Sequence, residues 1–146
     1  MTTLDQTKAS QASVLLLRSD GSLLLQLDPH QPDHQSEFPL VRPMSLSLWA
    51  NESPIAAASR SLLQHTNLDH DNAKLMYWRT YWPHHFFIRF LERPQQLRLH
   101  QSAQLVTIHG PRDLPKLNVD SITRRALTDF WLCAANLVKP VPIVLQ

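Results

Sequence analysis

Residues 12–18 (ASVLLLR) and 22–27 (SLLLQL) are two short apolar runs separated by Ser19-Asp20-Gly21. An Asp-Gly pair between two such runs predicts a β-hairpin. Residues 28–43, rich in proline, histidine and acid, read as a loop. Residues 44–49 (MSLSLW) alternate apolar and polar, the pattern of a strand buried on one face. Residues 53–66 (SPIAAASRSLLQHT) predict a helix, with Asn51 or Ser53 as cap and Pro54 in the tolerant first turn. Ile55, Ala58, Leu62 and Leu63, with Ala56, are its expected buried side, and Asn67 follows its last turn.

Residues 74–82 (KLMYWRTYW) and 85–91 (HFFIRFL) predict two aromatic strands joined around Pro83, with His84-His85 in the turn. Strict alternation sends Leu75, Tyr77, Arg79 and Tyr81 to one face and Met76, Trp78, Thr80 and Trp82 to the other. Two further strands are expected over 97–100 and 104–109. After the Gly110-Pro111 break, Asp120 opens a second helix whose apolar positions Ile122, Ala126, Phe130 and Leu137 recur at near-helical spacing. The order of elements gives an α+β fold, a mixed sheet sandwiched by helices, rather than a doubly wound one. Residues 1–11 read as a flexible lead-in, 12–138 as one domain, and 139–146 (KPVPIVLQ) as an extended tail.

Composition narrows the chemistry. A chain of 146 residues, 43% hydrophobic and 18% charged, suits one globular domain. Its two glycines, Gly21 and Gly110, exclude a G-x-G-x-x-G or P-loop phosphate cradle. The single cysteine, Cys133, excludes an internal disulfide or CxxC zinc site and reads as helix packing. The net charge of +2 comes from scattered bases, so no nucleic-acid partner is expected. No apolar run approaches the roughly 18 residues of a membrane span, so no membrane association is expected. Residues 1–12 are polar and lack the apolar core of a signal peptide, so the expected location is the cytoplasm.

The segment Asn51-Glu52-Ser53-Pro54, then Ala57-Ala58, Arg60, Leu62 and Asn67-Leu68, resembles the Nudix family. That family's signature is G-x5-E-x7-R-E-U-x-E-E-x-G-U, with U aliphatic. Glu52 lies eight positions before Arg60, the family's interval, and Leu62 and Leu68 fill both aliphatic positions. The first hairpin, Glu37-Phe38-Pro39, Asp113-Leu114 and the final helix from Asp120 extend the resemblance over residues 12–132. It implies a single α/β/α domain and an ancestry among magnesium-dependent hydrolases of nucleoside diphosphate derivatives.

The departures fall on one half of the motif. Family glutamates that hold divalent metal correspond to Ser61, Gln64 and His65, a neutral hydroxyl, a neutral amide and an imidazole nitrogen. Magnesium prefers hard anionic oxygens, whereas imidazole suits zinc or copper. The family's glycines map to Leu46, or to Leu40-Val41, and to Asn67, and the loop after Pro39 is longer by about five residues in this alignment. Glu52 and Arg60, which in the family tie the loop to the helix, remain. The expectation is a catalytically silent Nudix-like module with no cofactor, taking a nucleotide-type small molecule or a protein partner. A divergent magnesium-dependent hydrolase using Glu37 or Glu92, and a structural protein that dimerises through its aromatic hairpin and tail, are the alternatives.

Candidate ligand-binding residues are Arg60, Gln64, His65, Trp78, Arg79 and Trp82. Arg60 suits a phosphate, and Trp78, Tyr81, Trp82, Phe86 and Phe87 offer rings for a base, or core and interface packing. Among other clusters, His30 and His34 with Asp28 and Asp33 have metal-like chemistry without metal-site spacing. Asp69-His70-Asp71 lacks the spacing of a calcium loop.

Overall fold

The computed structural model describes residues 10–27, 40–68, 72–91, 97–99 and 104–138, and side chains of the last helix only as far as Cys133. Strand β1 (Gln11–Arg18) turns into β2 (Leu23–Leu27) as the hairpin pattern predicts. Gly21 supplies the left-handed φ of 88° that the turn needs. Asp20 Oδ1 locks the turn by accepting from the Ser22 backbone N–H at 2.9 Å and its hydroxyl at 2.6 Å. Those two bonds hold the Asp20 carboxyl below its usual range.

Strands β3 (Val41–Arg42), β4 (Met44–Ser47), β5 (Leu75–Tyr81), β6 (His84–Leu91) and β7 (Leu105–Ile108) complete a seven-stranded mixed sheet. β1 is its centre. It runs antiparallel to β2 and β4 on one side and parallel to β6 on the other, in register from Gln11↔His84 to Arg18↔Leu91. β5 closes one edge by pairing with β6, and β7 and β3 pair with β2. A parallel pair needs a long crossover. Between β1 and β6 the chain accordingly passes through helix α1 (Pro54–His65) and β5.

Each face of the sheet carries its own core, and strand alternation divides the side chains between them. Ala12, Val14, Leu16, Leu24 and Phe87 meet Ala57, Ala58 and Leu62 of α1. Leu15, Leu23, Leu25, Phe86 and Ile88 meet Ala126, Leu127, Phe130 and Trp131 of helix α2 (Ser121–Val138). The result is the single mixed sheet between helices expected from the order of elements. Among the described residues, no helix is long and apolar enough to cross a membrane.

Several expectations change. Val41 and Arg42 lie inside the expected loop yet form β3 against Leu27 and Gln26. Residues 97–100 are not a strand in their described part. Leu99 makes an isolated bridge to Thr66, while just past α1 the Asn67 N–H donates to the Arg98 carbonyl and the Asn67 side-chain Oδ1 accepts from the Arg98 N–H. Short 3-10 turns at Asn72–Lys74 and Pro111–Lys116 carry no signal used above. Gln11 already belongs to β1 rather than to a lead-in. Leu63 is 52% exposed, whereas Ala57 and Ser61 are fully buried. A step of five residues places Leu63 about 140° round the helix from Ala58, away from the sheet. His84-His85 opens β6, and the turn is Trp82-Pro83, whose peptide bond is cis. Cys133 is half-buried, with the Arg79 guanidinium 3.4 Å from its sulfur.

A bulge at Trp78 overturns the alternation expected for β5. Tyr77 pairs with Phe87 but Arg79 pairs with Phe86, so one residue is extra. From Arg79 onward every side chain changes face. Arg79 and Tyr81 therefore join Trp78 on the α2 side, and Thr80 joins Tyr77 on the α1 side. Residues 1–9, 28–39, 69–71, 92–96, 100–103 and 139–146 lie outside the description. With them go Asp28, His30, Asp33, His34, Glu37, Asp69, His70, Asp71 and Glu92, the tail, and the Leu137 side chain.

Leu16, fully buried at the centre, tests this arrangement against Leu63. Leu16→Ala is expected to cost about 2–5 kcal/mol and Leu63→Ala no more than about 0.5 kcal/mol in urea unfolding. Equal losses would contradict the assigned orientation of α1.

Candidate functional site

The Glu52–Arg60 half of the α1 segment forms a closed clip. Ser53 caps the helix, its hydroxyl accepting from the Ala56 N–H at 3.3 Å. Just before it, Asn51 takes a left-handed φ of 66°, turning the chain so that Glu52 points back along the helix. Arg60 Nε donates to Glu52 Oε2 at 3.0 Å and Nη2 to Oε1 at 2.8 Å, a bidentate pair across eight residues. Glu52 Oε1 also accepts from the Trp49 N–H at 2.8 Å, and Arg60 Nη2 donates to the Ser47 carbonyl at 2.8 Å. The Trp49 ring, 64% exposed overall, stacks on the guanidinium with 3.7 Å to its centroid.

The side chains of Arg60 and Glu52 retain only 18% and 11% exposure. The Arg60 hydrogen bond, followed by the Trp49 N–H, holds the Glu52 carboxyl below its usual range. The same bond raises Arg60. Fork geometry of this kind is directional as well as strong, so residues 47–52 are fastened to the middle of α1.

The second half of the segment is arranged differently. Ser61 is fully buried. His65 Nδ1 lies 2.9 Å from the Ser61 carbonyl and 3.3 Å from its hydroxyl. A carbonyl only accepts, so Nδ1 carries a proton and the neutral ring has its lone pair on Nε2. Gln64 is exposed and His65 half-buried. Thr66 ends the helix, its N–H and hydroxyl both donating to the Leu62 carbonyl at 2.9 and 2.8 Å. No group of three His, Cys, Asp or Glu side chains comes together as a metal site would require among the described residues.

Trp78 and Arg79 lie across the sheet, on the α2 side. The Trp78 ring meets Phe130 edge-on at 5.7 Å and carries the Arg79 guanidinium 4.7 Å from its centroid. Asp129 links this group, accepting from the Tyr81 hydroxyl at 2.6 Å and pairing with Arg79 at 3.5 Å. Burial first, and then the bond to Asp129, raise the Tyr81 phenol. Trp82 stands at the hairpin tip, 66% exposed, edge-on to His85 at 6.0 Å.

The six ligand candidates therefore do not form one cluster. Arg60, Gln64 and His65 belong to α1 on one face of the sheet, Trp78 and Arg79 face the opposite helix, and Trp82 is at a turn. Sequence reasoning missed Trp49, whose position three residues before Glu52 was a usable signal, and Asp129, whose partner Tyr81 is 48 residues away.

The clip gives a pH-dependent prediction. Because the Glu52 pKa is depressed in the folded chain, its contribution is complete above the unfolded value, about 4.3. It is lost as pH falls through the lower folded value. Glu52→Gln is expected to lower Tm by a few degrees at neutral pH. The gap to the unmodified protein should narrow only in acid, as followed by circular dichroism; a constant gap at every pH would contradict the clip.

No family model matches the sequence, and no curated protein matches it. Solved structures do. A NUDIX hydrolase from Listeria monocytogenes superposes with a TM-score of 0.67 at 12% identity, covering 88% of this chain and 95% of that one. The E. coli dihydroneopterin triphosphate pyrophosphohydrolase gives 0.64 at 13%, covering 85% and 95%. A C. elegans Ap4A hydrolase gives 0.63 at 14%, covering 87% and 99%. At these identities the likeness is one of architecture, and the chain has a Nudix-like fold: one mixed sheet held between two helices.

Proposed function

We propose that this chain is a Nudix-fold module whose α1 keeps the loop-holding half of the family's box and has given up the metal-holding half. It takes a nucleotide-type ligand without cleaving it. The observation that carries the reading is Ser61. Its position corresponds in the resemblance to a metal-binding glutamate, and it is fully buried and bonded to His65. A glutamate there would need an exit to solvent or a metal; a serine fills the space as packing.

Gln64 and His65 offer a neutral amide and an imidazole nitrogen. That donor set does not suit magnesium, which wants anionic oxygens. The Glu52 carboxylate is engaged by Arg60 and by the Trp49 N–H. Arg60 likewise spends its fork on Glu52 and Ser47 rather than presenting it to a phosphate.

The names carried by similar structures, pyrophosphohydrolase and Ap4A hydrolase, favour a second reading. In it the chain is a divergent diphosphate hydrolase whose magnesium is held by carboxylates outside α1, such as Glu37 or Glu92. One experiment separates the two. The full chain is screened by thermal shift and by turnover against ADP-ribose, nucleotides and nucleotide sugars, with and without magnesium.

The expected result is stabilisation by at least one of these compounds, about 2.7 kcal/mol at a hundredfold excess over Kd, with no product formed. Magnesium-dependent product would overturn the silent reading and favour the second, whether or not it survives Glu52→Gln or His65→Ala. No ligand at all, together with a concentration-dependent oligomer, would favour an interaction protein instead.

A further inference from the structure

The α1-facing side of the β5–β6 hairpin carries a hydrogen-bonded row that core packing does not use. Strict alternation would place Tyr77 and Thr80 on opposite faces, and the Trp78 bulge brings them together. The Tyr77 hydroxyl lies 2.8 Å from Thr80 Oγ1, and Thr80 Oγ1 lies 2.9 Å from His85 Nδ1. Trp82 stands edge-on to the same imidazole, and Tyr77 is braced edge-on by Phe87 at 5.7 Å. Tyr77 and Trp82 nevertheless leave 56% and 66% of their surface in solvent. Bulges commonly re-aim side chains beside binding sites, and clustered exposed rings mark surfaces that are covered in use.

The chemistry of the row says what would cover it. Thr80 has one hydroxyl proton, so the chain runs in one of two directions. When Tyr77 donates to Thr80 and Thr80 to Nδ1, the imidazole presents Nε2–H and the phenol oxygen presents a lone pair. When the direction reverses, Nε2 accepts and the Tyr77 hydroxyl donates. In both states the two ends offer one donor and one acceptor. Burial and the neighbouring His84 disfavour the charged form of His85, so the row offers no net charge to an anion. A neutral, reversible donor–acceptor row between two exposed rings matches a flat heteroaromatic ring that carries N–H and C=O groups on its edge. Such rings stack on aromatic side chains whatever their sequence identity.

We infer that Tyr77, Thr80, Trp82 and His85 form the surface that takes the nucleobase of the ligand, the ring stacking on the exposed aromatics and its polar edge meeting the hydrogen-bonded row. This rests on the reading that the ligand is of nucleotide type, and adds to it the place and the neutral part of the ligand that is recognised. Phosphate plays no part in it, so unphosphorylated nucleosides should bind here.

The test uses the full chain, titrated with adenosine, guanosine, cytidine and uridine and observed by NMR at the Trp82 indole N–H and the His85 ring. At least one nucleoside is expected to shift both signals. Thr80→Val, which keeps a β-branched residue in the strand and breaks the row, should weaken binding roughly tenfold, and Thr80→Ser should restore it. Nucleotides that bind while these signals stay still would overturn this inference and leave the reading of a nucleotide-binding module standing. No response to any nucleoside or nucleotide would overturn both. Signals that move with protein concentration alone would assign the surface to a second copy of the chain and overturn the base site.

Discussion

Strand β1 has to be buried on both faces at once, and the rest of the molecule follows from that constraint. Val14, Leu15 and Leu16 are all fully buried, yet alternate residues point to opposite sides. One helix cannot cover both, so two are required. Parallel pairing with β6 also forces the chain to leave the sheet and return, and α1 is carried on that excursion. The two cores differ in how they are filled. On the α1 side Ala12, Ala57 and Ala58 share the core with Leu16, Leu62 and Phe87. On the α2 side no alanine but Ala126 contributes among the described residues, and Phe86, Phe130 and Trp131 supply the large rings. Packing at interior density leaves little freedom in either arrangement.

The phase of α1 sets what its polar residues can do. With Ala57, Ala58, Ser61 and Leu62 buried, Arg60 is left at the helix flank, where it reaches Glu52, the Ser47 carbonyl and the Trp49 ring. The clip is a consequence of helix phase as much as of charge. The same phase turns Ser61 inward, where its hydroxyl meets His65, and leaves Gln64 outside. A helix in this register carries a structural ion pair on one flank and a neutral surface beyond it. The aromatic residues of β5 fall on both sides of the sheet. Asp129 organises Arg79 and Tyr81 against α2, while Tyr77, Thr80 and Trp82 stay with His85 on the other face.

Local chemistry made much of this legible. Asp20-Gly21 marks the first hairpin because few residues other than glycine tolerate the φ its turn needs, and Ser53-Pro54 marks the start of α1 because both residues suit a helix entry. The Glu52-to-Arg60 interval exposed the clip. What was not legible depends on partners distant in the chain. Val41 and Arg42 become a strand only because β2 has a free edge there. Residues 97–99 stay out of the sheet because the end of α1 offers Thr66 and Asn67 as partners. The bulge at Trp78 leaves no mark in the alternation of LMYWRTY, yet it decides which face Arg79, Thr80 and Tyr81 occupy. Leu63 misleads because hydrophobicity alone places it in the core, while the phase of α1, set by Ala57, Ala58 and Leu62, turns it to solvent. The turn expected at His84-His85 falls at Trp82-Pro83 instead, so the strand expected from His85 begins at His84 and His85 pairs with Thr80.

The central proposal is that α1 holds no divalent metal. Manganese binding measured by electron paramagnetic resonance on the full chain tests this directly, comparing the unmodified protein with the Gln64→Ala, His65→Ala double variant. The account predicts identical titrations for the two proteins. A stoichiometric manganese site present in the unmodified protein and lost in the double variant would contradict it.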